Sequence, residues 1–231
     1  ASAMRGSVGN LIATEPPQHI HRVFNRLLFI MFYIAAFCAC CLTGLIDRFI
    51  TLAFGNGLLL DRVTVFVCIF NLYMSTIDIP VWCFVAAAGL FRQDKYISIA
   101  GSAINLVISF VLGIKIGMAG ILIGTSATYV IQFILKIILF YKRFLKINCF
   151  AIFAKNTIYA AVTAAECAAV IFAAAFADNV LANPYAGFIL CGALSAVIPL
   201  ILNSIIFAAT DEFRYVVDFV RGFISKREKK S

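Results

Sequence analysis

The sequence predicts an all-α, polytopic membrane protein, with six transmembrane helices in one bundle followed by a C-terminal amphipathic helix. The composition supports this fold class, because the mean hydropathy is +1.01 and only 13% of residues are charged, whereas soluble domains carry about 25%. Six apolar stretches each approach the ~20 residues that a helix needs to cross a bilayer. They cover residues 27–46, 64–90, 96–113, 116–141, 156–176 and 185–209.

Positive charge alternates between the loops that join these stretches. Of the 19 Lys and Arg residues, fifteen lie on one set of sides, three lie on the other set and Lys136 lies inside a stretch. Because cytoplasmic loops carry the excess of Lys and Arg, both ends are predicted to be cytoplasmic, in a multi-pass protein of the cell membrane. The net charge of +8 therefore reflects topology rather than nucleic-acid binding. The loops are predicted to be short except for 47–62 and 142–155.

Three segments follow from this pattern. Residues 1–22 are the end of a preceding segment and a cytoplasmic loop, residues 23–209 are the six-helix lobe, and residues 210–231 are a cytoplasmic amphipathic tail. The first residue is Ala1 and no signal peptide precedes the first stretch, so we expect the C-terminal part of a longer protein. In the tail, apolar residues fall near one helical face. They are Phe213, Val216, Val217, Val220 and Phe223.

Polar side chains recur at helical spacing within the apolar stretches, so that each set shares one helix face. The faces together predict a substrate cavity, with Arg92 and Lys95 at its cytoplasmic entrance. Two interpretations are open, since Ser, Thr and Asn also hydrogen-bond between helices, whereas several polar faces turned to one axis would line a wet cavity. The predicted cavity residues are Asn71, Ser75, Asp78, Trp82, Ser102, Asn105, Thr125, Tyr129, Gln132, Lys136 and Glu166.

Three of these residues have side chains that are charged at neutral pH in water. Asp78, Lys136 and Glu166 each cost about 2.5–3.5 kcal/mol to insert at mid-span on the translocon scale. Lys136 lies near enough to the cytoplasmic end to extend its ammonium group to the interface, which is the alternative to a place in the cavity. Asp78 precedes Pro80, where a local helix break frees a carbonyl group. The two carboxylates are candidate proton carriers, because a buried carboxylate can be held in its protonated form.

Motifs of other functional classes do not occur in the sequence. It contains no G-x-x-x-x-G-K-[ST], G-x-S-x-G or H-E-x-x-H motif, which argues against an enzyme and against ATP-driven transport by this chain. The eight cysteines lack the paired spacing of a zinc site, and seven of them lie in apolar stretches as small filler. We therefore predict neither a metal nor a cofactor.

Four short motifs resemble a known transporter family. They are SVGNLIA at 7–13 followed by Glu15, GLF at 89–91, AINLVIS at 103–109 and GMAGILIGT at 117–125. Their order and spacing are similar to the second half of bacterial flippases for O-antigen and capsule repeat units, in the multidrug/oligosaccharidyl-lipid/polysaccharide exporter superfamily. The resemblance covers residues 1–145, and beyond these only the two-span pattern agrees.

The resemblance implies an exporter fold of two pseudo-symmetric lobes around a cationic cavity, of which this chain supplies one lobe. It implies that undecaprenyl-diphosphate-linked oligosaccharide crosses the membrane by alternating access, coupled to an ion gradient. The implied partners are this lipid-linked oligosaccharide, membrane lipids, the N-terminal lobe of the same protein and other polysaccharide-assembly proteins, with no nucleic acid. The sequence departs from the cationic cavity of the family, because the predicted cavity residues include one cation, Lys136.

Two other classes are weighed against the flippase. A drug or cation antiporter of the same superfamily would use Asp78 and Glu166 to bind a cationic substrate. A membrane-embedded glycosyltransferase or ligase would need a large catalytic loop with paired carboxylates, and the outer loops predicted here are short. Cavity charge therefore favours the antiporter, whereas the four motifs favour the flippase.

Overall fold

Helices make up nearly all of the structure, a computed structural model that describes residues 2–180 and 183–228. No strand occurs within those residues. Among them, six helices are long and apolar enough to cross a membrane, which confirms the predicted fold class. In chain order the helices are α1 (Ser2–Thr14), α2 (Pro17–Phe54), α3 (Arg62–Ala87), α4 (Phe91–Ile116), α5 (Met118–Leu139), α6 (Phe150–Val180), α7 (Pro184–Phe207) and α8 (Asp211–Glu228).

The helix ends coincide with residues that favour a break. Pro17 occupies the first turn of α2, where its missing N–H removes no hydrogen bond, and Gly55 ends this helix with a φ of 81°. Asp61 caps α3 by accepting a hydrogen bond from the backbone N–H of Thr64 at 3.0 Å. Gly117, with a φ of 66°, separates α4 from α5. The chain therefore reverses within a few residues at these points.

Two helices extend beyond the apolar stretches that predict them. α2 runs without a break from Pro17 to its C-cap, so the predicted start of the lobe at residue 23 falls inside it. The loop expected at 47–62 is largely helical for the same reason. The loop expected at 142–155 is also shortened, because α5 continues as a π-helix over Phe140–Leu145. Hydropathy marks the apolar middle of a helix, whereas backbone hydrogen bonding sets its ends.

α2 lies at the centre of the lobe. It packs against α3 on one side and against α6 and α7 on the other, while α5 packs against α3 and α4. The lobe therefore consists of two helix groups, α3–α4–α5 and α2–α6–α7, which meet where α2 contacts α3. α4 lies at the edge, and Gly101 is its one buried residue in the part of the chain that the structure describes.

Aromatic side chains hold α2 between the two groups. Phe24 packs against Phe84 of α3 and against Phe140 at the end of α5, with ring centroids 5.2 and 5.3 Å apart. Further along α2, Phe32 stacks on Tyr159 of α6 at 4.2 Å. Such ring pairs add to the dispersion contacts between the rings, and close packing drives helix association in lipid.

Lys and Arg side chains gather at one end of the bundle, here called the basic end, where α2 and α6 begin and α7 is followed by α8. Lys155 of α6 pairs with Glu212 of α8, and the guanidinium of Arg26 in α2 lies 4.0 Å from the ring centroid of Tyr215 in α8. Burial alone would raise the pKa of Glu212, but the hydrogen bond and charge of Lys155 hold it below its ordinary value. Through these contacts α8 is bound to both α2 and α6 at the basic end.

The amphipathic tail forms helix α8, as predicted. Phe213 and Val216 pack against the buried core of the bundle, whereas Arg214 on the other face is exposed. The side chains of Val220 and Phe223 lie outside the described residues. The apolar face of α8 is therefore used, at least in its first two turns, to contact the lobe itself.

The first predicted segment is also part of the packed lobe. Helix α1 packs against α3, and Val8 in the SVGNLIA motif is 3% exposed. Glu15 and Pro16 separate α1 from α2, which begins at Pro17. The SVGNLIA motif therefore places at least one side chain, that of Val8, in the core of the lobe.

Candidate functional site

Amide and hydroxyl side chains on the predicted stripes bind neighbouring helices together. Asn71 of α3 donates from Nδ2 to the carbonyl oxygen of Leu122 in α5 at 3.1 Å, and its Oδ1 accepts from the Ser126 hydroxyl at 2.8 Å. Asn105 of α4 donates to Oγ1 of Thr125 in α5 at 3.4 Å. Interhelical hydrogen bonds of this kind contribute about 0.6 kcal/mol on average in membranes. The stripes of α3 and α4 thus both turn toward α5.

Glycines allow α4 and α5 to approach closely. A Cβ atom on Gly120 would lie 2.2 Å from the carbonyl oxygen of Leu112, and one on Gly124 would lie 2.2 Å from Oγ of Ser109 and 2.8 Å from its backbone nitrogen. Backbone atoms cannot move aside as a flexible side chain can. The G-x-x-x-G spacing of Gly120 and Gly124 therefore serves helix contact.

We expect Gly120→Ala to destabilise the protein by about 1–3 kcal/mol, the usual range for an overpacked interior. The added methyl group would meet the α4 backbone at Leu112, so α4 and α5 must separate. Thermal unfolding of the full-length protein in detergent measures the effect. Gly187→Ala in α7 is the matched control, because no heavy atom lies within 4 Å of its added Cβ. Equal melting temperatures for the two variants would contradict this account of the α4–α5 contact.

Asp78 of α3 and Lys136 of α5 form an ion pair inside the bundle. Lys136 Nζ lies 2.9 Å from Oδ2 of Asp78, and the side chains are 5% and 18% exposed, respectively. The Lys136 ammonium is therefore buried within the lobe, where it pairs with Asp78. Oδ1 of Asp78 is buried and has no hydrogen-bond partner among the described residues. A buried pair of this kind has one acceptor position left for a further donor.

The remaining α3 and α5 residues of the predicted cavity differ in what their side chains contact. Ser75 donates to the carbonyl oxygen of Leu72 in its own helix at 2.9 Å, and Trp82 is partly buried one turn beyond Asp78. Tyr129 packs against the core. Gln132 lies against α4, where its Nε2 would be 2.3 Å from a Cβ on Gly101. Of these four residues, Gln132 is the one whose contact joins α5 to α4.

The predicted entrance residues lie at the basic end of α4. Arg92 and Lys95 are exposed, as is Ser102 two turns further along the helix. Asp94, between the two cations, is close enough to act electrostatically on Asp78. Oδ1 of Asp94 is itself buried without a hydrogen-bond partner among the described residues.

Glu166 lies apart from the Asp78–Lys136 pair. It belongs to α6, its side chain is 1% exposed, and neither carboxylate oxygen has a hydrogen-bond partner among the described residues. The nearest hydroxyl on its own helix, Thr163, donates to the carbonyl oxygen of Tyr159 at 3.0 Å instead. Glu166 acts electrostatically on Cys40 of α2 and Tyr73 of α3. The structure thus divides the predicted cavity residues between two helix groups.

Some polar residues of these groups are absent from the predicted cavity set. Ser126 is the hydrogen-bond partner of Asn71. Its position between Thr125 and Thr128 in the sequence could have identified it as part of the polar face of α5. The Tyr73 hydroxyl is buried within reach of the Thr163 side chain and of the charge of Glu166. Tyr73 falls off the α3 stripe, so helical spacing alone did not reveal it.

Comparison with other proteins gives no assignment: no protein-family model, no curated protein and no solved structure matches the chain. The evidence for a function is therefore the membrane-spanning lobe, the buried Asp78–Lys136 pair, the buried Glu166 and the four short motifs.

Proposed function

We propose that this chain is one lobe of an exporter that moves undecaprenyl-diphosphate-linked oligosaccharide repeat units from the cytoplasmic to the outer leaflet by alternating access. The observation that carries the proposal is the Lys136 cation held inside the bundle by Asp78. A lipid diphosphate needs a cation along its path, because burying an unpaired anion in a membrane is costly. The four sequence motifs support the same family.

In this proposal the diphosphate competes with Asp78 for Lys136. The ion pair keeps the cation compensated when no substrate is bound, which lowers the cost of holding it in the membrane. Arg92 and Lys95, exposed at the basic end, attract the headgroup first. Asn71, Asn105 and Gln132 offer amide groups to the sugar hydroxyls as the helices move apart. The N-terminal lobe of the full-length protein supplies the other wall of the path.

The proposal includes an orientation in which the basic end is cytoplasmic. We expect Lys146→Cys, in a variant lacking the native cysteines, to resist an impermeant thiol reagent added to intact cells, since cytoplasmic loops carry the Lys and Arg excess. Leu58→Cys is the control at the opposite end, where Leu58 is 63% exposed, and it should react. Efficient labelling at position 146 with protection at position 58 would reverse the topology.

A drug or cation antiporter is the second candidate, and Glu166 is the observation that favours it. A buried carboxylate without a partner is suited to bind a cation or a proton. The charge of Asp78 no longer supports this candidate, because Lys136 compensates it. Of the two carboxylates that favoured an antiporter, only Glu166 lacks a cationic partner among the described residues.

Deletion of the gene for the full-length protein distinguishes the two candidates. The flippase proposal predicts that lipid-linked repeat units accumulate on the cytoplasmic leaflet and that surface polysaccharide is lost, with unchanged sensitivity to cationic drugs. An antiporter predicts drug sensitivity with normal surface polysaccharide, and this result would reject the flippase.

A further inference from the structure

A cavity at the basic end has a lining of both charge signs. It lies between the start of α2 and the first turns of α8, with a volume of about 420 Å³, within the range of small-molecule sites. Arg22 and Arg26 of α2 line one side. Asp211, Arg214 and Asp218 of α8 line the other. Charged groups of both signs thus line one open cavity at the surface of the bundle.

Several charged side chains of the cavity are not paired with one another. Among the described residues, Arg22, Arg214, Asp211 and Asp218 form no ion pair within 4.0 Å. Oδ1 of Asn25, at the cavity wall, is likewise buried without a hydrogen-bond partner among those residues. Donors and acceptors are therefore both present for a bound molecule.

The cavity lies beside the start of the apolar stretch of α2. The apolar stretch of α2 begins at residue 27, directly after Arg26. On the α8 side, Phe213 and Val216 pack against the core while Arg214 of the same turn lines the cavity. Arg and Tyr side chains at this boundary are typical of the membrane interface. With the apolar stretch of α2 in the bilayer, the headgroup of a phospholipid in the adjoining leaflet would lie at the level of this cavity.

We propose that this cavity binds the headgroup of a zwitterionic phospholipid with a primary ammonium group, of the phosphoethanolamine type. The phosphate accepts hydrogen bonds from Arg22 and Arg214, and the ammonium donates to Asp211 and Asp218. A purely anionic headgroup fits less well, because the carboxylates would repel its phosphate. A choline headgroup has no N–H donor and prefers an open aromatic face, but Arg26 covers the ring of Tyr215.

Binding would fix the position of α8. The headgroup joins α2 to α8 beside the Lys155–Glu212 pair and the Arg26–Tyr215 contact, so it adds a third link between the tail and the lobe. This inference does not depend on which substrate the protein transports.

Lipid titration of the full-length protein in detergent, followed by native mass spectrometry, tests the proposal. We expect dioleoylphosphatidylethanolamine to bind about tenfold more tightly than the phosphatidylcholine or phosphatidylglycerol of the same chains, the difference expected from one charge-assisted hydrogen bond. O-phosphoethanolamine, which has no chains, should bind far more weakly. Equal binding of the three lipids, or soluble O-phosphoethanolamine binding as tightly as the lipid, would overturn the assignment.

Charge variants separate a specific site from general attraction to lipid. Asp211→Asn with Asp218→Asn should weaken phosphatidylethanolamine binding and strengthen phosphatidylglycerol binding, because the site becomes cationic. Arg214→Gln should weaken both. Arg221→Gln is the matched control, since Arg221 is exposed on α8 outside the cavity, and it should leave the preference unchanged. If the acidic double variant keeps the parent preference, the ammonium does not bind there and the proposal is wrong.

Discussion

Lys136→Met is expected to destabilise the full-length protein by about 3–5 kcal/mol, because removal of one partner leaves the other charge of a buried pair uncompensated. The partner is Asp78, whose Oδ2 lies 2.9 Å from Lys136 Nζ inside the bundle. Asp78→Asn should be destabilising for the same reason, since it leaves the ammonium unpaired. The double variant should recover most of the loss. Unfolding in detergent for the four proteins gives the coupling free energy directly.

Lys142→Met is the control for this cycle. Lys142 is exposed at the basic end, one and a half turns beyond Lys136, so its loss should leave the melting temperature unchanged. Additive losses for Asp78→Asn and Lys136→Met would mean that the two charges do not stabilise each other. The proposal that the diphosphate takes over the role of Asp78 would then lose its physical basis.

Glu166→Gln is expected to reduce polysaccharide export at least tenfold while the protein still inserts and accumulates. The amide keeps the shape of the side chain but can neither release a proton nor bind a cation as a carboxylate does. Because neither oxygen of Glu166 has a partner among the described residues, we expect the thermal stability to be unchanged or higher, since a buried charge without a partner is costly. Export at several external pH values, with protein amounts measured in the same cells, provides the readout.

Glu15→Gln is the matched control, because Glu15 is exposed between α1 and α2 and undergoes the same chemical change. It should export at the parent rate. If Glu166→Gln also exports at the parent rate across the pH range, Glu166 carries no coupling ion. A loss of stability without loss of export per molecule would assign it a packing role between α2, α3 and α6.

The membrane-spanning helices follow from the sequence because hydropathy reports burial in lipid one segment at a time. The apolar stretch at 27–46 identifies α2, yet the helix begins at Pro17 and ends at Phe54. Its backbone hydrogen bonds continue beyond the apolar stretch, into sequence whose polar side chains give no hydropathy signal. The amphipathic spacing of Phe213 and Val216 predicts the face of α8 that the core covers.

The candidate site is less predictable from the sequence, because periodicity assigns a face to each helix but does not say which helix it meets. Asp78 and Lys136 are 58 residues apart, and only the packing of α3 against α5 brings them together. Glu166 shares the ionisable chemistry of Asp78 but lies in the other helix group. A single common axis for all polar stripes, which the sequence suggested, therefore remains a prediction for the assembly of both lobes.

Transbilayer movement of lipid substrate in proteoliposomes tests the central claim most directly. Purified full-length protein is reconstituted with undecaprenyl-diphosphate-linked oligosaccharide, and an impermeant lectin or glycosidase measures the fraction exposed outside over time. The account predicts that substrate loaded on the inner leaflet becomes accessible with the parent protein and much more slowly with Glu166→Gln. An inner-leaflet pool that stays as protected as in protein-free liposomes, under every imposed ion gradient, would contradict it.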